Sequence, residues 1–468
     1  MNRNKTKGKR NRRVNQVKIG FTNKPITAWG GIATLVAKYL ETIQFREWVE
    51  AAFPLTETSN NGRGIYEKVL AQLLTVLAGG TRFWHLSWWG HGVEVMQRAF
   101  GVAWLPAAAS TLTRFWGKIN RQSEAEKVGE FGRQMARRIL ENAGVREDNL
   151  NFDSTVLTRY GQQEGARKGY NPKKRGRPSH HPLVGFVGAG YVVNLWNRRG
   201  DSSARNGIID FFRQTVAALG IGFRVRRVLC DSGFYEIDFL RLLEGAGYRY
   251  IIVAPAMEIL QKRIRAVPRW AELTRGIDVA EFRFVHQDKK WGPHERRYVA
   301  VRQLVSERPR ATGKQLRLFR DDELLREYRY SLMVTNDEET AAADIWRLYR
   351  PRAADENVLK DLKEGYGFAA FNMDQFWATE AVMVMNALVY HNLVHYLNRH
   401  VLNAGQPSNQ LQTLRSKYLI IPAMLGSGGR YAVLRLGVSS RKLRAKLDRF
   451  LVQISLLPLR LNCNAVET

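Results

Sequence analysis

Cysteine is nearly absent from this chain, with two among 468 residues, Cys230 and Cys463. Two thiols cannot build a disulfide framework, and their separation matches no zinc spacing, so a core-stabilised fold in a reducing compartment is expected. Cys230 closes the apolar run Val228-Leu229 and reads as a small buried hydrophobe rather than a nucleophile. Long uncharged apolar runs are missing as well. The best of them, 381–390, falls short of the ~20 residues a membrane span needs and is interrupted by Asn386. It predicts a buried helix and no membrane partner. The basic N-terminal stretch has no apolar segment directly behind it, so a cytoplasmic location is expected. Acidic residues are also scarce: 43 Asp and Glu stand against 73 Lys and Arg, a net charge of +30. A polyanion is the expected partner. Hydrophobic residues at 45% and charged residues at 25% match globular averages and exclude wholesale disorder.

The pattern of what is present divides the chain. Residues 1–20 hold eight Lys and Arg and no acid, which predicts a disordered basic arm. From about 26 to 144, apolar residues fall three or four apart, as in Ile32, Leu35, Val36 and Leu40 or Val69, Leu70, Leu73 and Leu77, predicting helices. Ser110 or Thr111 is expected to cap one of them, and 124–142 to form a long one. Trp84, Trp88 and Trp89 with His85 and His91 read as aromatic core, with a base-stacking platform as the competing reading.

After Gly144 the period shortens to two. Strands are expected over 150–157, 183–195, 225–229 and 248–253. One intervening helix should be capped by Ser202 or Ser203 and stop at Gly220; another should cover 236–243. This order predicts an α/β fold, a mixed sheet covered by helices. Alternation at 282–285, 297–301 and Tyr328–Thr335 predicts a β-rich stretch. Helical patterning resumes at Ala341 and runs through His395. Beyond 401, a strand at Tyr431–Leu436 precedes a basic helix capped by Ser439 or Ser440, carrying Arg441, Lys442 and Arg444.

Phosphodiester chemistry with a hard ion needs carboxylates that converge from different elements. Asp153 follows the apolar Leu150 and Phe152 on the first sheet strand, and Asp231 ends the strand Arg227-Val228-Leu229-Cys230. An aspartate that closes a strand also serves as a turn or cap, so a third position decides. At about 100° per residue, Tyr349, Arg352, Glu356 and Lys363 fall within an arc of about 60° on one helix. Asp355 then points elsewhere, and Glu356 is the third carboxylate. The competing reading is a solvated charged face. Pro351, best tolerated in a first turn, can place the helix start after Tyr349.

Lys173, Lys174, Arg175 and Arg177 crowd a short loop whose Gly176-Arg177-Pro178 resembles the core of an AT-hook. A phosphate-tracking loop between two sheet strands fits the same residues. His180 and His181 follow, without Cys or carboxylate partners at zinc-ligand spacing.

In its Tyr-x2-Arg-x3-Glu-x6-Lys spacing, its Asp153-Ser154-Thr155 and Cys230-Asp231-Ser232-Gly233-Phe234 segments and its Gly169-Tyr170-Asn171-Pro172 loop, the chain resembles DDE transposases of bacterial insertion sequences, the group-one DDE domain. The resemblance implies a ribonuclease-H-like core interrupted by a β-rich insertion, with Asp153, Asp231 and Glu356 binding two Mg²⁺ ions that Mn²⁺ can replace. It assigns Tyr349, Arg352 and Lys363 to the transposon end near the cleaved phosphate. The implied division is a basic arm at 1–20, a helical DNA-binding domain at 21–146, core segments at 147–256 and 337–400 around an insertion at 257–336, and a basic region at 401–468. The implied activity is cleavage of inverted-repeat ends of double-stranded DNA and joining of the 3′-hydroxyl to target DNA. A homodimer in the DNA complex and a nucleoid location follow from the same resemblance. A metal-dependent nuclease and a non-catalytic DNA-binding protein on the same fold remain the alternatives.

Overall fold

The computed structural model describes residues 20–56, 64–188, 190–286, 290, 292–310, 314, 327–406 and 408–461. The arm expected at 1–20, apart from Gly20, and Cys463 lie outside the described residues.

Nine strands form one sheet: β1 Glu147–Ser154, β2 Leu183–Val187, β3 Val192–Trp196, β4 Arg224–Cys230, β5 Tyr250–Val253, β6 Ala271–Thr274, β7 Ile277–Val285, β8 Glu295–Leu304 and β9 Tyr328–Thr335. Their order is β6-β7-β8-β9-β5-β4-β1-β2-β3. The first three run antiparallel, whereas β4 lies parallel to β1 and β5 parallel to β4. That 3-2-1-4-5 arrangement of the first five strands is the ribonuclease-H-like core. The β-rich stretch does not stand apart from it. β9 pairs antiparallel with β5, Thr335 opposite Ile251, so β6 to β9 continue the same sheet.

Period-two alternation explains why the sheet is covered on both faces. Val228, Cys230, Tyr250, Ile252, Leu332 and Val334 face the main core. Leu229, Ile251, Val299, Val301 and Met333 face the other way and meet Ile345 and Trp346. The helices that matter for the site are α1 Gln122–Asn142, α2 Ile208–Leu219, α3 Ile237–Gly245, α4 Ala342–Tyr349, α5 Ala353–Glu364, α6 Phe376–Val384 and α7 Arg441–Ser455. α4 supplies Ile345 and Trp346. α1 and α6 pack on each other and on β3.

Stretch 381–390 is the buried helix its composition predicts. α6 passes into a π-helical turn, Met385–His391, whose residues are all buried, and Asn386 accepts a 2.9 Å hydrogen bond from Gln72 Nε2. Among the described residues no helix is long and apolar enough to cross a membrane. Two caps differ from expectation. α2 is entered through Gly207 at φ 76°, a left-handed conformation suited to glycine, while Ser203 bonds Asn206 instead. Ser110 and Thr111 lie inside a helix that starts after Ala108. Ser440 does cap α7, accepting from the Leu443 N–H at 3.3 Å. The tryptophan cluster is split: Trp89 is buried with Nε1 on Thr75 Oγ1, whereas Trp84 and Trp88 are exposed.

An ion pair ties β4 to the end of β9. Arg227 donates from Nε and Nη2 to Asp337 Oδ2 at 3.0 and 2.8 Å, Thr340 Oγ1 adds a third bond, and the Asp337 side chain is fully buried. Removing one partner of a buried pair leaves an uncompensated charge. Asp337→Ala is therefore expected to lower unfolding free energy by about 3–5 kcal/mol, read from urea denaturation. A loss below about 1 kcal/mol would show that Arg227 swings to solvent freely.

Candidate active site

Phe152 on β1 and Cys230 on β4 are register partners across a parallel pair. The next residue on each strand is an acid, so Asp153 and Asp231 emerge side by side at the carboxyl edge of the sheet. Asp231 then starts the tight turn Ser232–Phe234, its Oδ1 accepting from the Gly233 N–H at 2.8 Å. Asp153 Oδ1 accepts from the Ser154 N–H at 2.7 Å, and its Oδ2 stands 3.3 Å from Arg352 Nη2. The Asp153 carboxyl is pushed up to about 6 by burial; Arg352 opposes the shift, and the Asp231 and Glu356 charges add to it. All three acids thus share one electrostatic neighbourhood.

The third acid comes from a broken helix. Pro351 opens a short 3-10 turn, Arg350–Arg352, that separates α4 from α5. A straight-helix projection fails across that turn. Arg352 is buried and Lys363 half-buried against β1, whereas Glu356 is exposed and lines a cavity of about 610 Å³ with Trp346, Tyr349, Arg350, Arg308 and Arg310. Asp355, which the projection set apart from the Glu356 stripe, faces the sheet. It is 3% exposed, and its Oδ2 accepts from Asn151 Nδ2 at 2.7 Å. Burial raises its pKa to about 7, against the opposing effects of Arg352 and Asn151. Arg352, at the cap of α5, and Asp355, three residues on in its first turn, share the buried side, a signal available once the helix start is placed after Pro351.

Tyr349 and Arg352 turn their polar groups inward. The Tyr349 hydroxyl donates to Cys230 O at 3.3 Å, and Arg352 Nη2 donates to Phe152 O at 3.1 Å. Lys363 Nζ donates to Thr155 Oγ1. Burial lowers the Lys363 pKa, and so does the nearby charge of Lys173. Lys173, at the start of the basic loop, therefore lies near Lys363. Lys173, Lys174, Arg175 and Arg177 are all exposed there. Arg441, Lys442 and Arg444 are also exposed, but on α7, which packs against Ala37–Thr42 and Asn398–Leu402 in the helical layer. His180 Nδ1 accepts from Arg159 Nε at 3.1 Å and its Nε2 donates to Glu164 O at 2.9 Å, and His181 Nδ1 sits 2.7 Å from Ser202 O with Nε2 3.2 Å from Ser154 Oγ. These bonds use both rings within the protein. Sequence reasoning missed Asn151, Asp355 and the Ser154–His181 contact.

The donor set suits a hard divalent cation, being all oxygen and including one carboxyl raised by burial and by two like charges that a cation would relieve. Among the described residues, however, no three acid, His or Cys side chains converge closely enough to hold an ion. Arg352 supplies the positive charge at Asp153 instead.

A ribonuclease-H-like sheet with acids at the ends of its first and fourth strands, and a third on the helix after the sheet, defines a class of polynucleotide-processing folds. A family model described as "Transposase DDE domain group 1" matches residues 9–456, and the chain belongs to that family. Among solved structures it is similar to a piggyBac transposase in a synaptic complex with hairpin DNA, at 10% identity and a TM-score of 0.41, covering 83% of this chain and 80% of that one. No curated protein matches it.

Proposed function

We propose that this protein cleaves the ends of a DNA transposon and joins the freed 3′-hydroxyl to target DNA, with Asp153, Asp231 and Glu356 as the reacting-centre carboxylates. The observation that carries the reading is the adjacency of Asp153 and Asp231 one residue beyond the Phe152/Cys230 register pair. Those three acids would hold two Mg²⁺ or Mn²⁺ ions once α5 carries Glu356 to the strand ends, since in the unbound chain the three do not converge. When bound, such ions supply Lewis-acid activation of the attacking oxygen and stabilisation of the leaving one during in-line displacement at phosphorus. The chain's own part is to fix two carboxylates on rigid strand ends and bring the third from α5. No protein nucleophile is needed.

Lys363, Lys173, Lys174, Arg175 and Arg177 would carry the DNA backbone past the acids, and Arg441, Lys442 and Arg444 would form a second phosphate-binding surface. The basic arm, the helical segment at 21–146 and the C-terminal basic helix are the candidates for end recognition. Coordinated joining of two ends requires two copies of the site, so the working unit is a homodimer on DNA.

Incubating the protein with Mg²⁺, a duplex bearing the DNA end beside its gene and a supercoiled target plasmid tests the reading. Joined products are expected. Cut ends without joining would make it a nuclease, and intact DNA with tight binding a non-catalytic binder. With a net charge of +30, end binding is also expected to be steeply salt-dependent. If 6 to 10 phosphates are contacted, affinity should fall by about 10³- to 10⁵-fold between roughly 50 and 200 mM salt. A flat salt response in fluorescence anisotropy would remove the phosphate-tracking role.

A further inference from the structure

Three short strands, Ile26–Thr27, Ala423–Gly428 and Tyr431–Leu436, form a small sheet separate from the nine-stranded one. Ile26, Met424 and Arg435 are register partners, so their side chains make one row across a single face. Beside this sheet the tryptophan cluster helps to close a cavity of about 670 Å³, whose walls include Trp29, Trp88, Trp89, Met424, Arg435 and Leu436. That volume lies within the roughly 300–1,000 Å³ of small-ligand sites. Trp89 is anchored there by its Nε1 bond to Thr75 Oγ1 at 3.1 Å. Trp88 is stacked on His85, with ring centroids 4.0 Å apart and planes 12° from parallel, yet 48% of its surface stays open. A rigidly held indole that is left half in water, in a wall of other apolar side chains, calls for something to cover it.

Charge selects the occupant. No Asp or Glu occurs from 381 to 447, a span that holds nine Lys and Arg. Arg435 stands in the cavity wall, and the wall residue Gly437 lies three positions before Ser440, the cap of the basic helix α7. A second copy of this chain would bring the same uncompensated cations to the contact, and like charges repel. A flat π-system that carries negative charge satisfies both kinds of wall, the ring against Trp88 and the anion against Arg435. A base inside a duplex has its faces covered by its neighbours and presents only edges; an unpaired base presents the face.

We propose that this cavity is a binding site for an unpaired nucleotide of DNA, its base stacked on Trp88 and its phosphate against Arg435. The site lies beyond the cleavage and joining proposed above and requires neither, so it is tested in EDTA. Full-length protein is titrated at roughly 0.3 M salt, where long-range attraction to phosphates is largely screened. The probes are a fluorescein-labelled oligothymidine of about 12 nucleotides and an abasic oligomer of the same length and charge.

Wild-type protein is expected to bind the oligothymidine about ten-fold more tightly than the abasic oligomer. Trp88→Ala should erase that preference and leave affinity for a blunt duplex within about two-fold of wild type. Trp88→Phe keeps a ring and should lose no more than about three-fold on the oligothymidine. Arg435→Gln should weaken both oligomers alike and make the salt slope shallower by about one. Equal wild-type affinity for the two oligomers would make the contact purely electrostatic and overturn the proposal before any variant is made. A ten-fold preference that survives in Trp88→Ala would overturn it as well, because the base would then stack elsewhere. Arg435→Gln, at an exposed side chain, decides the matter if Trp88→Ala does not fold by circular dichroism; wild-type affinity and slope in that variant would sink the site. A dimer seen by sedimentation without DNA, and dissociated by either variant, would give the cavity to a second copy instead.

Discussion

Replacing Asp153 or Asp231 by Asn, or Glu356 by Gln, is expected to reduce end cleavage by about 10³-fold or more while leaving affinity for the end duplex the same or slightly higher. The sign of the binding effect follows from charge: each substitution removes a negative group from beside a polyanion. The amide variants are the informative ones. Asp153→Ala would leave Arg352 buried without its carboxylate partner at 3.3 Å, so lost activity and lost stability would be confounded. Asp153→Asn retains an oxygen for the Ser154 N–H, and Asp231→Asn retains one for the Gly233 N–H. Gel assays of strand cleavage beside anisotropy titrations give both numbers. Cleavage at the wild-type rate in any one variant removes that residue from the reacting set. Asp355→Asn provides the contrast. Because Asp355 bonds Asn151 inside the protein, its loss should act through stability and the placement of α5. If instead Asp355→Asn abolished cleavage in a stably folded protein and Glu356→Gln did not, the third acid would be Asp355.

That contrast also shows where sequence reading stops. Asp153 and Asp231 are legible because an apolar run of strand period ends at each, and a strand's end is fixed by its own residues and its nearest turn. The mixed sheet follows from the same local signal. The side of α5 that meets the sheet is a tertiary matter. Projecting 349–363 as one straight helix puts Glu356 on a stripe with Arg352 and Lys363 and sets Asp355 apart from it, yet past the 3-10 turn Arg350–Arg352 it is Arg352 and Asp355 that are buried and Glu356 that is exposed. Pro351 carried that information, but which face turns inward depends on how α4 packs over Leu229, Ile251 and Met333. Likewise, alternation in β6 to β9 marks strands without saying which existing strand they join. The pairing of β9 with β5 brings together residues 251 and 335, far apart in the chain. Asn151 gave no signal either, since a polar residue on a strand is ordinarily turned to solvent and this one is spent on a buried acid.

Glu380→Gln is expected to flatten the alkaline loss of stability. Glu380 sits on α6 inside the main core, its Oε2 accepting from the Asn197 N–H at 2.8 Å. Burial pushes its pKa from 4.5 up to about 8, with the Asn197 bond opposing and the Glu126 charge adding. Between those two values the folded chain keeps the proton and the unfolded chain does not. Stability must then fall as pH rises across that window, by about 1.4 kcal/mol for each pH unit, and level off above the folded pKa. Below the unfolded value both states are protonated and the group contributes no slope. Glutamine keeps the shape and an acceptor for the Asn197 N–H without an ionisation to suppress. Its new NH₂ group needs an acceptor, and Asn197 Oδ1 is buried without a partner among the described residues. The difference in unfolding free energy between variant and wild type should therefore be small near pH 5 and grow to several kcal/mol in the variant's favour by pH 8, read from urea titrations at each pH. Parallel curves would mean that Glu380 ionises in place, with Arg133 or entering water offsetting its burial.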